Sequence, residues 1–452
     1  MKSKIIYILI GLISFYACKK TTGFTSSGVP IIIPDGDEKY VNHSSDSIFN
    51  EDNLPSFYIE LPERSLAYLD ADPAAEQYVE GALNYNGETI SPIGIRYKGS
   101  IGAFVGGLSG EDWSNPSGSK ITTKLSMKFK IDWNGHHSTF YDLKTIQLHS
   151  MNLDKSQMHD RLGYWLFRSM GVPAPRSIHA KLYINGTYNG LFAFVEKIDE
   201  QFANYNFSSR SGNLYKEVWP IKSNGSVQSN NHLSEGLVTN QMIGVNNDLI
   251  KQFAGDIVAA NINNLQSVIE NYMYTNQAIA LAVVDRTIRN DDGPFHWYCD
   301  EYECNPHNFF WYEDFSTNKV HLIPWDLDNA FENIDSNNLN PVTPIADSWG
   351  DTTNNCYPFP FGDWGLYQTS AACDRIVGGL AKFTDRYQEL KDSLVNGPMS
   401  EGIVNAKIDE WSQQIRNATI EASIAHTDAI DLNSWENELN YLKYLLNIAR
   451  NN

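Results

Sequence analysis

The sequence predicts an α+β protein in two lobes, a strand-rich first half with one clear helix and a mainly helical second half built around one hairpin. Three observations predict it. Lys124 to Ile131 alternates, with Leu125, Met127, Phe129 and Ile131 on one side and Lys124, Ser126, Lys128 and Lys130 on the other. Met158, Leu162, Trp165, Leu166 and Met170 recur at helical spacing. After Glu196 the strand pattern gives way to Asn-, Ser- and Gly-rich loops, then to helical patterns over about 256–290 and about 373–450. At 452 residues the chain can bury a large core or two lobes.

In chain order, Lys2 and Lys4 form a basic start, and Ile5 to Phe15 is an apolar run broken only by Gly11 and Ser14. The run is too short for a permanent membrane helix and reads as a signal peptide over residues 1–17. Ala17-Cys18 resembles a lipobox, with Phe15 where Leu is usual, so Cys18 is expected to become the acylated first residue. An ordinary secretory signal with an incidental Cys is the alternative. In both cases the mature chain is exported. A lipobox implies a bacterial cell envelope, with the membrane touched only through the anchor. Residues 18–54, rich in Thr, Ser, Asp, Asn and Gly, read as a lipid-anchored flexible tether, and folding is expected to begin near Phe57. The lobes are then residues 55–200 and 201–452.

Pro92 to Lys98 reads as a strand running into Gly99, Gly102, Gly106, Gly107 and Gly110. The lysine side of 124–131 is expected to be a solvated sheet face; the functional alternative faces a polyanion. Asp154 can cap a helix, with Gln157 at the capping-box position and Gly171 and Pro173 at its end. Its apolar face is expected to be core. Ile178 to Ile184, the turn Asn185-Gly186 and Gly190 to Glu196 form a hairpin. Ser434 is a plausible cap for a closing helix through Trp435, Leu439, Leu442, Leu445 and Leu446.

The chemistry concentrates in a second hairpin. His307 to Tyr312 and Lys319 to Pro324 are strands joined by the polar turn Glu313 to Asn318. Asn308 stands at its entrance, and Asp326 and Asp328 at its exit. Hard oxygen donors so placed suit Mg²⁺ or Mn²⁺, ions that hold phosphates, as an Asn and an Asp do in protein kinases. The alternative is that both acids cap a helix starting near Asn329.

Composition limits the rest. A net charge of −20 argues against nucleic acid and against a polybasic membrane patch. The 11 Trp and 24 Tyr fit sugar handling and plain packing equally. Cys299, Cys304, Cys356 and Cys373 follow Cys18. Nearest-neighbour pairing, 299 with 304 and 356 with 373, is one of three disulfide arrangements. Metal binding is the alternative, but no C-x-x-C is present. There is no G-x-S-x-G, which leaves a Ser hydrolase without its nucleophile elbow. A carboxylate-pair glycosidase stays open.

Arg96-Tyr-Lys-Gly99, the Lys124–Lys130 strand, Asp154 through Pro175, Asn185-Gly186 with Gly190-Leu191 and Glu196, Leu214-Tyr-Lys216, Asn290-Asp-Asp-Gly293, His307-Asn308 and Pro324-Trp-Asp-Leu-Asp328 follow in that order. The ordered set resembles the CotH (spore coat protein H) kinase-like family, from about residue 57 to the C-terminus. The resemblance implies a divergent protein-kinase fold that uses ATP and Mg²⁺ (or Mn²⁺) to phosphorylate protein Ser/Thr hydroxyls. It implies Asp292 as the catalytic carboxylate with Asp291 as rival, the alternative being a plain Asp-Gly turn. Asn308, Asp326 and Asp328 would hold the metal. Lys128 would reach the α/β-phosphates, with Lys98, Lys124 and Lys130 as alternatives and Asp160 as its acid partner. Glu196 would lie near adenine, and Lys216 would touch a phosphate or stay exposed. A Cys299–Cys304 bond would pin the long insert Phe295 to Pro306 over the site. Partners would be a protein substrate or a cell-surface protein. The rival from another class is a non-catalytic surface lipoprotein that binds a glycan or protein.

Overall fold

The computed structural model describes residues 44–451 apart from 101, 209–210, 242–246, 300–302, 336–348, 353 and 362–365. The expected signal peptide, Cys18 and the tether up to residue 43 lie outside the described residues. The fold begins earlier than expected, inside the stretch read as tether. Helix α1 (Ser44–Ile48) delivers Ile48 and Phe49 into the first core, where Phe49 stacks on Phe194 with centroids 4.5 Å apart. Burial of these two apolar side chains, together with Arg176 bonds to Asp46 and Ser45, holds the otherwise polar segment in place.

Seven strands form the first half: β1 (Ser56–Glu60), β2 (Val79–Tyr85), β3 (Glu88–Tyr97), β4 (Met127–Lys130), β5 (Thr145–His149), β6 (Ser177–Ile184) and β7 (Thr187–Val195). They close into a barrel in the order β1-β2-β3-β4-β5-β7-β6. Closure comes from β1 lying parallel to β6, with Phe57 opposite Leu182, and it removes both sheet edges. Alternation fills the interior: Phe57, Leu83, Ile95, Met127, Phe129, Ile146, Leu182 and Phe194 belong to one core. The β6–β7 turn is as expected, with Asn185 and Gly186 at φ 50 and 79 and Ile184 opposite Thr187.

The lysine side of residues 124–131 is solvated only in part: Lys130 is exposed and Lys128 half-buried, while Lys124, just before β4, is drawn in. Lys124 donates to the Leu191 carbonyl at 2.8 Å, and burial pushes its amine down to about 8. Asp428, from the C-terminal half, grips Thr123 beside it.

The second half holds α4 (Glu200–Asn206), β8 (Asn213–Lys216), α5 (Asn230–Glu235), α6 (Asp248–Ala259), α7 (Leu265–Tyr272) and α8 (Thr275–Thr287). Strands β9 (Trp297–Cys299), β10 (Cys304–Pro306), β11 (Phe309–Asp314), β12 (Lys319–Pro324), β13 (Phe359–Phe361) and β14 (Leu366–Thr369) follow. Helices α9 (Arg375–Leu380), α10 (Thr384–Asn396), α11 (Glu401–Ala425) and α12 (Leu432–Asn451) close the chain. Two small sheets lie among them, β12-β11-β8 and β10-β9-β14-β13. Helices α2 (Glu63–Ala71) and α3 (His159–Ser169) lie in the first half, after β1 and after β5. The α+β class is therefore as read, with a hydrophobic core inside the barrel and a second one through the helical half. Among the described residues no helix is long and apolar enough to cross a membrane.

Helix α3 joins the two halves, packing on β6, β7 and α8, with Leu162, Leu166 and Phe167 in the second core. It starts later than the capping pattern suggested. Gln157 sits at φ 62, so the chain turns left-handed before the helix. Asp154 still satisfies the first amides, Gln157 N at 2.9 Å and His159 N at 2.8 Å. Ser434 lies inside α12 rather than before it; Asp431 takes the capping bond from the Ser434 amide at 3.0 Å.

Candidate active site

The β11–β12 hairpin sets the site. Phe309 faces Pro324, and the Trp325 amide donates to the Asn308 carbonyl at 3.0 Å, which holds both ends of the hairpin together. Asn308 and Asp326 sit at φ 53 and 52, a left-handed backbone that Asn and Asp tolerate and most residues do not. The residues from Leu327 to Asp335 form turns, with no helix for Asp326 and Asp328 to cap. The capping alternative is thereby set aside.

Asn308 reaches across to the Asn290–Gly293 turn. Its Nδ2 donates to Asp292 Oδ2 at 2.7 Å, and its backbone amide donates to Glu217 Oε1 at 3.2 Å. The amide is anchored through nitrogen, which leaves its carbonyl oxygen as the donor atom for a cation. Burial and the neighbouring Asp326 push Asp292 up to about 7. Asp291 points elsewhere. Its Oδ2 accepts from Asn333 at 2.6 Å, Arg289 Nε lies 3.6 Å away, and its carbonyl accepts from the Tyr298 hydroxyl at 2.6 Å. The turn itself is clamped from below. Asn290 Nδ2 donates to the fully buried Asp285 at 2.8 Å. A Cβ on Gly293 would fall 2.3 Å from that nitrogen, so no larger residue fits there.

Helix α3 holds the acidic segment after β12. The Asp326 amide donates to the Tyr164 hydroxyl at 3.0 Å, and His159 Nδ1 donates to the Asp328 carbonyl at 2.9 Å. Between these, a Cβ on Gly163 would meet Leu327 Cδ1 at 2.7 Å. Residues 159, 163 and 164 share one helix face, and glycine lets the Asp326–Asp328 segment lie close on it. Burial, then Asp326, raises the Asp328 carboxyl well above its ordinary value.

Lys98, at the end of β3, stands among these acids. Its Nζ lies 2.7 Å from His149 Nε2 and 5.7 Å above the Trp325 ring. Burial lowers its pKa, while Asp326, Asp160 and Asp328 pull it back. Lys128 is placed differently. After burial, its strongest electrostatic neighbours are Lys197, Arg96 and Lys98. Lys124 is bound at Leu191, and Lys130 lies over the exterior Trp133. The structure thus brings Lys98, rather than Lys128, to the acids. Asp160 meets Lys98 only through His149, whose Nδ1 lies 2.9 Å from Asp160 Oδ2.

Glu196 is committed to Arg176, which binds both carboxylate oxygens and also reaches Asp46. That ties α1 to the barrel and leaves Glu196 as a strut. Lys216 is 3.4 Å from Glu217 and close enough to Lys98 to lower its pKa.

The insert is a hairpin of its own. Cys299 and Cys304 face each other across β9 and β10 and are disulfide-bonded, and Cys356 is bonded to Cys373. The nearest-neighbour pairing is the one observed. β9 carries Tyr298 to both Asp291 and Asp292, so the bonded insert braces the Asn290–Gly293 turn.

Sequence reasoning missed His149, His159, Gly163, Tyr164, Glu217 and Tyr298. Gly163 inside a strong helix was the one signal available. Among the described residues no three His, Cys, Asp or Glu side chains form a ready-made metal cluster. A kinase-type Mg²⁺ needs only one or two carboxylates, since water and phosphate complete its shell. Asn308 and Asp326 fit that demand.

A search of the curated proteins returned no match. The family described as CotH kinase protein matches residues 95–448, more than half of the chain. A match of that extent takes in the end of β3 with Lys98, α3, the Asn290–Gly293 turn and the β11–β12 hairpin, and the chain belongs to the CotH kinase family.

Proposed function

We propose that this protein is an exported, Mg²⁺/ATP-dependent phosphotransferase acting on Ser or Thr hydroxyls of proteins. One observation carries the reading: the Asn308 side chain ties Asp292 to the hairpin end that bears Asp326. The residue suited to the hydroxyl proton and the residues suited to the metal are thus coupled by one hydrogen bond. The raised pKa values of Asp292 and Asp328 also support it: burial and the neighbouring acids disfavour their ionised forms, which a cation bound beside them would restore.

On this reading Asn308 and Asp326 hold the ion, with Asp328 beside them. The ion supplies charge neutralisation to the nucleotide phosphates. Lys98 adds a second positive charge from the barrel side. Asp292 orients the attacking hydroxyl and takes its proton at Oδ1 or Oδ2. The two disulfides favour an oxidising compartment. Cys18 is proposed as the lipid anchor that keeps the enzyme at a bacterial envelope.

Calorimetry tests the core of it. ATP should bind only with Mg²⁺ or Mn²⁺, and Asp326→Ala should abolish the binding. Equal ATP affinity with and without metal would overturn the reading.

A further inference from the structure

Lys98 and Asp160 do not touch; an imidazole stands between them. Lys98 Nζ is 2.7 Å from His149 Nε2, and His149 Nδ1 is 2.9 Å from Asp160 Oδ2. With Lys98 as an ammonium, which only donates, and Asp160 as a carboxylate, which only accepts, Nε2 accepts from Lys98 and Nδ1–H donates to Asp160. The two neighbours fix the ring's tautomer and its plane.

The surroundings leave the ring little freedom. His149 is the last residue of β5 and is buried. The Trp325 indole meets it edge-on at 5.8 Å and carries Lys98 over the same ring system at 5.7 Å. Asp160 is buried too, and its Oδ1 has no hydrogen-bond partner among the described residues. The imidazole is the group that satisfies this acid. Four residues along α3, Tyr164 holds the Asp326 amide. One helix therefore touches the lysine through His149 and the metal segment through Tyr164.

We propose that His149 is a positioning residue that links Lys98 to Asp160, so that the seating of the phosphate-facing lysine depends on helix α3. An Asp is shorter than the Glu that usually pairs with a kinase lysine, and the imidazole supplies the missing length. The functional half of the proposal rests on the nucleotide-binding reading of this site.

Two measurements on the folded protein test it. The first needs no nucleotide: Lys98 is labelled with an amine-reactive reagent at neutral pH and quantified by peptide mass spectrometry. His149→Ala should raise its labelling about tenfold, the loss of one charge-assisted hydrogen bond. His149→Gln, whose amide can accept from Lys98 and donate to Asp160, should keep it near the wild-type value. The second is Mg²⁺/ATP affinity, which should weaken about tenfold in His149→Ala and recover in His149→Gln. Unchanged Lys98 labelling and affinity in His149→Ala would overturn the proposal. So would equal impairment in the Ala and Gln variants, because a ring needed only for packing behaves that way. If His149→Ala does not fold, His149→Gln decides alone: wild-type labelling supports the linkage and raised labelling overturns it. A wild type that binds no nucleotide overturns the functional reading and the dependence of phosphate binding on α3, while the labelling result still decides the linkage.

Discussion

At the scale of single residues, the two adjacent acids Asp291 and Asp292 show how environment divides identical chemistry. Asp291 is enclosed by Asn333, Arg289, His296 and Tyr298, and its side chain faces structure. Asp292 faces Asn308 and feels Asp326. Asp292→Ala should therefore lower phosphoryl transfer by about 10²-fold or more and change Mg²⁺/ATP affinity only a few-fold. Asp291→Ala should instead spare transfer per folded molecule: it leaves Asn333 without its acceptor and Arg289 without its neighbouring carboxylate, and should cost about 1–3 kcal/mol of stability. Radiolabelled phosphate transfer, normalised to folded protein, separates them; a transfer-competent Asp292→Ala would return this acid to the role of a turn residue. The identity of the pair was legible in Asn290-Asp-Asp-Gly293, because a turn is a local event. Which acid faces Asn308 and Asp326 was not, since Asn333 and Asn308 are set against the turn by the fold and not by local sequence. That Lys98 and not Lys128 lies beside the acids was illegible for the same reason. Alternation places both outside the barrel, and only the end of β3 lies beside the acids.

Elements with local causes were readable, and elements with distant causes were not. Asn185-Gly186 alone specifies the β6–β7 turn, and the polar run Glu313 to Asn318 specifies the β11–β12 hairpin. Barrel closure by the parallel β1–β6 pair has no local signature. Helix α3 was evident from its period, yet its contacts to Asp326 and Asp328 span more than 160 residues, so it looked like core alone. The disulfide-bonded sheet β10-β9-β14-β13 belongs with the elements that the cysteine spacing half revealed. The 299–304 bridge closes a loop of 5 residues of separation and the 356–373 bridge one of 17. Loop entropy then assigns about 2 kcal/mol to the first and about 3 kcal/mol to the second. Because Tyr298 links β9 to the Asp291–Asp292 turn, replacing Cys299 and Cys304 by Ser should impair transfer more than stability alone explains. Cys356→Ser with Cys373→Ser should be the more destabilising pair in urea unfolding. Equal transfer per folded molecule in wild type and the 299/304 variant would show that the insert does not brace the turn.

Over the whole molecule, buried histidines and buried acids shape the pH response at and below neutral pH, and they act in opposite directions. Burial pushes His179 down to about 3, and His296 and His321 down to about 4. Below the ordinary histidine value the unfolded chain takes up protons that the native protein refuses, so these three raise stability as pH climbs to about 6.5. Asp285 works the other way. Burial pushes it up to about 8, with Asn290 only partly offsetting the effect. The unfolded Asp285 loses its proton near the ordinary carboxylate value, whereas the native one keeps it until about pH 8. Across that window the native state holds the extra proton, and stability falls as pH rises. Asp292, pushed up to about 7, adds to the fall. Between pH 6.5 and 7.5 the histidines are spent and the acids dominate. Asp285 should then account for a loss of about 1 kcal/mol over that single pH unit. Asp285→Asn keeps an oxygen for Asn290 and removes the titration, so the variant should show about half the wild-type decline in urea-unfolding stability. An identical decline in both proteins would mean that Asp285 is already ionised in the fold, and that the Asn290–Gly293 turn rests on a buried anion rather than a neutral acid.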